Sequence, residues 1–124
     1  MQAADRWFSK YIRLRKADDD GYVSCFTCGC TVHWKEAHNG HFMGRGHMNT
    51  RYDSTNCQVQ CFDCNVAKQG NLKVFAENLD KEYGKGTANR LLVKAKQHCK
   101  MTLRDFQMVV KNAKAYLVFL DKNL

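Results

Sequence analysis

The chain has 124 residues and a formal net charge of +8. This length favours a single domain, residues 1–124, with a modest core. No apolar run is long enough to cross a membrane, and the N-terminus lacks the basic-then-apolar pattern of a signal peptide, so we expect a cytoplasmic protein. The positive charge favours a polyanionic partner, and seven cysteines in a reducing compartment favour metal binding over disulfides.

Residues 3–17 are predicted to form an amphipathic helix. Its apolar side chains follow the i, i+3, i+4, i+7 spacing of one buried face: Ala4, Trp7, Phe8, Tyr11 and Ile12. A second face is basic and carries Arg6, Lys10 and Arg13, with Arg15 and Lys16 close behind. Two interpretations of this face are equally good, a solvated surface and a phosphate-binding surface. Residues 18–21, three Asp followed by Gly, are typical of a turn.

Two short strands are predicted around a first pair of cysteines. Residues 22–24 lead into Cys25-x-x-Cys28, and residues 31–33 return beside them. Residues 36–56 hold several Gly, His and Asn without a sustained period, which predicts a short hairpin with an ordered loop. The next segment, residues 57–68, is predicted to be helical and contains a second pair, Cys61-x-x-Cys64.

Helices are predicted throughout the rest of the chain. Asn71 can cap a helix over residues 72–83, which Gly84 would close. Thr87 can cap a second helix over residues 88–98.

The last predicted helix begins at Thr102. Residues 102–105 resemble a capping box, with Asp105 in place of the usual Glu. Its apolar residues recur at alternating steps of three and four: Leu103, Phe106, Val110, Ala113, Leu117, Leu120 and Leu124. This heptad seam has two equal interpretations, packing on the protein's own helices and homodimerisation.

The two Cys-x-x-Cys pairs form a strong zinc motif. Thiolates suit zinc, and four of them make a closed, tetrahedral structural site with no open position. We therefore assign a structural Zn²⁺ to the four pair members, Cys25, Cys28, Cys61 and Cys64. Cys30 and Cys57 lie close enough in sequence to be alternative ligands.

If the four sulfurs meet, the segment between the pairs folds back on itself. Polar residues far apart in sequence then become neighbours, namely His38, His41, Asn56 and Asn65. A cluster of His and Asn beside a structural zinc, in a basic protein, favours metal-assisted phosphodiester hydrolysis. Imidazole, with a pKa of about 6.5, can take a proton from water, and a hard divalent cation can neutralise the departing oxygen.

The order His41, Asn56, Cys61-x-x-Cys64-Asn65-x-x-Lys68 resembles the HNH, or His-Me finger, endonucleases. A narrower resemblance rests on further short motifs: Phe8-Ser9-Lys10-Tyr11-Ile12-Arg13-Leu14-Arg15, Cys25-x-x-Cys28-Gly29, Gly40-His41-Phe42-x-x-Arg45, Arg51-Tyr52-Asp53-x-x-Asn56, Gln60-Cys61-x-x-Cys64-Asn65 and Gly70-Asn71. Together they resemble the phage lambda NinG family of recombination nucleases, also called Rap, over roughly residues 5–95.

The resemblance implies an α+β, mostly helical fold with a zinc-braced ββα core, residues 22–70. A basic helix, residues 1–21, and a helical C-terminal part, residues 71–124, would flank this core. The resemblance also implies roles for three residues. His41 would be the general base, Asn56 would steady the loop that carries it, and Asn65 would bind a catalytic Mg²⁺ or Mn²⁺ ion.

Other site residues are our own additions. Arg45 and Arg51 are cations that can meet the scissile phosphate. The remaining candidates for DNA contact are Arg13, Arg15 and Lys68. HNH enzymes commonly place an Asp or His immediately before the base as a metal ligand, whereas this chain has Gly40. The candidates for the missing ligand are His38, Asp53 and a water molecule.

The predicted function is a metal-dependent DNA endonuclease of phage or prophage recombination in a bacterial host. As the resemblance implies, its substrate would be branched DNA such as Holliday junctions. A homodimer would suit a two-fold symmetric junction. The alternatives are an HNH nicking enzyme that acts on ordinary duplex and a non-catalytic, zinc-stabilised DNA-binding protein.

Overall fold

The computed structural model describes residues 1–120 and places five helices and four strands among them. The helices are α1 (Gln2–Leu14), α2 (Met48–Arg51), α3 (Leu72–Tyr83), α4 (Thr87–Ala95) and α5 (Leu103–Phe119). The strands are β1 (Tyr22–Ser24), β2 (Thr31–His33), β3 (His38–His41) and β4 (Cys57–Gln60), and a π-helical segment, Asp63–Ala67, follows β4. About half of the chain is helical, and the α+β class is confirmed.

None of the helices in residues 1–120 combines the length and the apolar character needed to span a bilayer.

Helix α1 is amphipathic as predicted, but it ends at Leu14 rather than at residue 17. Its buried side chains are Ala4, Phe8, Ile12 and Leu14. The Asp18 carboxylate explains the early end, since it accepts hydrogen bonds from the backbone N–H groups of Asp20 and Tyr22 at 3.0 and 2.8 Å. Such side-chain bonds compete with helical ones and fix a turn instead.

Part of the heptad seam packs on α1. Ala113 is buried, and Leu117 packs against the core cluster that contains Leu14. Leu103, in contrast, is 72% exposed at the start of α5. Leu124 lies outside the described residues. The interpretation that the seam packs on the protein's own helices therefore holds for its middle, and homodimerisation stays a prediction.

The segment 57–68 differs from the prediction because its first four residues are β4 and not helix. Strand β4 pairs antiparallel with β3, and His41 lies opposite Cys57. All four β4 residues are buried, including Gln58 and Gln60. A strand buried on both faces lacks the alternation that normally reveals a strand in a sequence.

The C-terminal helices follow the predicted order with small shifts. Helix α3 covers residues 72–83 as predicted, although the Asn71 side chain makes no capping bond. Helix α4 begins at Thr87, whose hydroxyl donates to the Gly84 carbonyl, and it ends at Ala95 rather than at residue 98. The capping box at the start of α5 is confirmed by both of its hydrogen bonds.

Candidate functional site

The four predicted zinc ligands meet in space. Cys25 follows β1, Cys28 lies in the turn before β2, Cys61 follows β4, and Cys64 lies in the π-helical segment. Their sulfur atoms all lie within 4.8 Å of one another, and the Cys28 and Cys61 sulfurs are 3.7 Å apart. Tetrahedral zinc with Zn–S bonds of about 2.3 Å requires sulfurs about 3.8 Å apart. The cluster therefore has the donor type and the spacing of a closed, structural zinc site.

The electrostatics of the cluster favour a cation. Burial raises the pKa of Cys25, but hydrogen bonds from the Thr27 hydroxyl and from backbone N–H groups outweigh burial and lower it to about 6. Burial raises the pKa of the neighbouring Cys61 to about 11. Four thiolates so close together repel one another, and a divalent cation removes that repulsion.

Cys30 and Cys57 do not belong to this group of four. Cys30 is exposed, and Cys57 is fully buried in β4 with its sulfur 3.3 Å from the Arg51 carbonyl oxygen. Burial raises the pKa of the Cys57 thiol far above neutrality. Cys57 is therefore a protonated core residue.

A cleft of about 780 Å³ opens between α1, β3 and the π-helical segment. Six of the predicted site residues line it: Arg13, His38, His41, Arg45, Arg51 and Asn65. The pairing of β3 with β4 accounts for this convergence, because it carries the end of β4 and the Asn65 turn back to His38.

His41 lies at the end of β3 with one ring nitrogen occupied. Its Nε2 atom is 3.1 Å from the Arg51 carbonyl oxygen. A carbonyl can only accept, so Nε2 carries the proton and Nδ1 retains a lone pair. Burial lowers the pKa of His41, and the hydrogen bond to the Arg51 carbonyl opposes this only in part. The imidazole is therefore neutral at pH 7.

Asn56 is fully buried and ties together the two ends of the loop after His41. Its Oδ1 atom accepts from the Met43 N–H at 2.8 Å. Its Nδ2 group donates to the carbonyls of Met43 and Thr50 at 3.1 and 3.0 Å. If the amide oxygen and nitrogen were exchanged, the Met43 N–H and the two carbonyls would all lose their hydrogen-bond partners.

Asn65 is presented by the π-helical segment, next to His38. The Asn65 Nδ2 and His38 Nδ1 atoms are 3.1 Å apart. The backbone continues through an unusual left-handed run in which φ is 51° at Gln69, 94° at Gly70 and 49° at Asn71. Gln60 holds this run by donating from Nε2 to the Gly70 carbonyl at 2.9 Å. Left-handed residues other than glycine persist only where the surroundings enforce them, often at functional sites.

Packing against Gln60 explains why residue 40 is a glycine, which the sequence did not reveal. A Cβ atom at this position would overlap the side-chain amide of Gln60. Gln60 is fully buried and bonded to Thr27 as well as to Gly70, so it cannot move aside. A side-chain ligand is therefore excluded at Gly40 by the same glutamine that shapes the neighbouring turn.

Asp5 of α1 is the centre of a polar network in the cleft. Its carboxylate accepts from Arg51 Nε and Nη2 at 3.0 and 2.7 Å, from Arg45 Nη2 at 3.0 Å and from the Tyr52 hydroxyl at 2.7 Å. Burial alone would raise the pKa of Asp5, but the bonds from Arg51 and Tyr52 keep it below its usual value. The bidentate pair fixes Arg51, whereas the Arg45 side chain stays 61% exposed.

Besides the fully buried Asn56, three other predicted residues do not join the cleft lining. Asp53 accepts hydrogen bonds from Lys94 Nζ at 2.7 Å and from the N–H groups of Thr55 and Asn56. Its carboxylate therefore stabilises a turn and an ion pair outside the cleft. The Arg15 guanidinium donates to the carbonyls of Ser54 and Cys57 at 2.9 Å each and to the Gln58 side chain.

The third is Lys68, which is exposed and lies 3.6 Å from Asp63. Arg13 does reach the cleft, where it donates to Ser9 and to the Trp34 carbonyl.

Two residues of the site were missed in the sequence. Asp5 is the single acidic residue among the cations of α1, which is a signal that could have drawn attention to it. Asn39 lies on the cleft wall, and its buried Oδ1 atom has no hydrogen-bond partner in the described part of the chain. Nothing in the sequence distinguishes Asn39 from its neighbours, because its isolation depends on tertiary packing.

Comparison with known proteins identifies the family of the chain. Neither the curated proteins nor the solved structures give a match. A protein-family model, described as bacteriophage lambda NinG protein, matches residues 1–123. A match over nearly the whole length shows that the chain belongs to the NinG family of phage recombination-associated proteins.

Proposed function

We propose that this chain is a metal-dependent DNA endonuclease that hydrolyses phosphodiester bonds in branched DNA, such as Holliday junctions. The arrangement of β3, β4 and the π-helical segment supports an HNH-type ββα unit, since it carries His41, Asn56 and Asn65 in that order. The four-cysteine cluster braces this unit from the side of Cys61 and Cys64.

The observation that carries the proposal is the state of the His41 ring. Nε2–H is bonded to the Arg51 carbonyl, which leaves the Nδ1 lone pair as the base. The lowered pKa keeps this base unprotonated at neutral pH. Asn56 holds the loop that begins beside His41, and so it helps fix the ring's partner Arg51.

Two amide oxygens on the cleft wall, those of Asn39 and Asn65, suit the catalytic cation. His38, the other candidate ligand, accepts from Asn65 Nδ2 at Nδ1 and so positions Asn65 instead. Asn39 takes the role for which Asp53 was a candidate, because Asp53 faces Lys94 instead. A bound Mg²⁺ or Mn²⁺ ion would supply charge neutralisation at the scissile phosphate.

Arginines complete the proposed site. Arg51 is fixed by Asp5, and the exposed Arg45 can reach a phosphate group that enters the cleft. Fixed cations stabilise a transition state without reorganisation. The phage recombination family and the net charge of +8 support DNA as the substrate.

The test is cleavage of a labelled four-way junction and of a linear duplex with the same sequence, in Mg²⁺, Mn²⁺ or EDTA. We expect metal-dependent cutting of the junction that is lost in His41→Ala while zinc content is unchanged. His98→Ala is the matched control, since His98 is exposed and lies outside the cleft. The rate should fall only at a pH below 6.5, because the His41 pKa is lowered from that value.

Other outcomes select other functions. Equal cutting of both DNAs would favour a nicking enzyme for ordinary duplex. Tight binding without cutting in any metal would favour a DNA-binding protein that lacks catalysis. Cutting that survives in His41→Ala would refute the assignment of the base.

A further inference from the structure

Cations and indole rings alternate along one side of α1. The Arg13 guanidinium lies 5.1 Å from the Trp34 ring centre, and the Lys10 ammonium lies 5.8 Å from the same centre. Lys10 is also 5.6 Å from the Trp7 ring centre, and Lys114 of α5 is 4.8 Å from it. We call these five residues, Arg13, Trp34, Lys10, Trp7 and Lys114, the cation–indole ladder.

The ladder begins at the cleft and leads away from it. Arg13 lines the cleft together with Arg6, and Lys10 lies next to them on the surface of the helix. Trp7 follows Lys10 around the helix, and Lys114 belongs to the neighbouring α5. A strand of DNA whose phosphate enters the cleft therefore finds further cations in one direction.

The positive charge of this surface is uncompensated. Within residues 1–120, Arg6, Lys10 and Lys114 form no ion pair with a carboxylate. The single acid of α1, Asp5, is bound to Arg51 and Arg45. Cations that lack a carboxylate partner attract a polyanion and release its counterions when it binds.

The two indoles differ in exposure, which indicates the kind of DNA. Trp34 is 8% exposed and belongs to the core, whereas Trp7 is only partly buried. A partly exposed indole between cations suits stacking with a base, and bases are free to stack on a side chain only where they are unpaired. Fully paired duplex would use the cations but not the ring.

We propose that the cation–indole ladder binds a single-stranded DNA segment adjoining the cleft, with Trp7 stacked on an unpaired base. This inference rests on the proposed function and narrows its substrate to branched DNA that carries unpaired nucleotides next to the branch. The ligand chemistry is an unpaired nucleotide together with its flanking phosphates.

The test measures equilibrium binding of the full-length, zinc-loaded protein in magnesium- and manganese-free buffer, where no cutting occurs. The probes are a fluorescent duplex with a single-stranded arm of about ten nucleotides, within the span that such sites cover, and a blunt duplex of equal paired length. Trp7→Ala should bind the armed probe about tenfold more weakly, as expected for loss of one stacked base, and the blunt probe normally. Trp7→Phe should keep the preference because it retains an aromatic face.

A charge control separates the ladder from general attraction. Lys114→Ala and Lys111→Ala remove the same charge from the same helix, but the ladder contains only Lys114. We expect Lys114→Ala to weaken binding of the armed probe more than Lys111→Ala does. Melting temperature and zinc content, measured on every variant, show whether the fold is retained.

Two results would overturn the inference. One is that folded Trp7→Ala binds the armed probe as the parent protein does. The other is an equal loss of affinity for the armed and blunt probes, which would assign Trp7 to general packing. Neither result bears on the nuclease, because cutting and its loss in His41→Ala are measured separately in Mg²⁺ or Mn²⁺. If the protein does not cut DNA but still binds the armed probe more tightly than the blunt one, the cation–indole ladder remains supported and the nuclease does not.

Discussion

Replacing Asn56 by Ala removes the side chain that joins both ends of the loop after His41. The substitution deletes three hydrogen bonds to the backbone, one from the Met43 N–H and two to the Met43 and Thr50 carbonyls. Because Asn56 is fully buried, water cannot easily replace them. At about 1 kcal/mol for each hydrogen bond, the free energy of unfolding should fall by about 3 kcal/mol. For a domain of this size the melting temperature should fall by roughly 10 °C.

Urea and thermal unfolding, followed by circular dichroism on zinc-loaded protein, measure this loss. Asn89→Ala is the matched control, because Asn89 is exposed on α4 and alanine favours a helix. The control should change the free energy of unfolding by less than about 0.5 kcal/mol. If Asn56→Ala behaves like Asn89→Ala, the three hydrogen bonds do not hold the loop, and the reasoning is refuted.

Three further predictions follow from other parts of the structure. Cys25→Ser should abolish zinc binding, measured by metal analysis, whereas Cys30→Ser should retain it; equal zinc loss in both would refute the assignment of four ligands. Asp5→Asn should lose stability at neutral pH. Because the folded pKa of Asp5 is below 3.8, its contribution is present above that pH and disappears as pH falls through the folded pKa, so the two proteins should converge in acid. Leu117→Asp should destabilise the folded chain by about 2 kcal/mol, whereas Leu103→Asp, at an exposed site, should not; equal effects in chemical denaturation would contradict the packing of α5.

The packing of α5 on α1 also bears on the predicted homodimer. Sedimentation of Leu117→Asp alone would mislead, because this residue packs within the chain. The exposed apolar side chains of α5 are the better targets, and they include Leu103, Val118 and Phe119.

Local chemistry made some features readable in the sequence. The two Cys-x-x-Cys pairs identified the four sulfurs that meet, because two thiols on a tight turn already face one ion. The capping box at Thr102 and the extent of α3 were predicted correctly, since both depend on residues within one or two helical turns. The basic character of α1 was likewise visible, although its role was not.

Other features depend on residues distant in the sequence. Residues 57–60 form a strand because β3 supplies the hydrogen-bonding partner, and the four buried side chains carry no periodic signal of their own. The same applies to Gly40, whose size is fixed by Gln60 across the hairpin. A local pattern cannot report a constraint that arises only when two strands meet.

Sequence patterns were enough to identify the four cysteines that meet, most of the helices and the order of His41, Asn56 and Asn65 in one segment. The packing of the elements then brought Asp5 to Arg51, turned Asp53 towards Lys94 and placed Lys114 next to Trp7. The two groups of features differ in the sequence distance over which their interactions act. Helical periodicity and ligand spacing act over a few residues, whereas ion pairs and ring contacts between elements form only once α1 and α5 have packed.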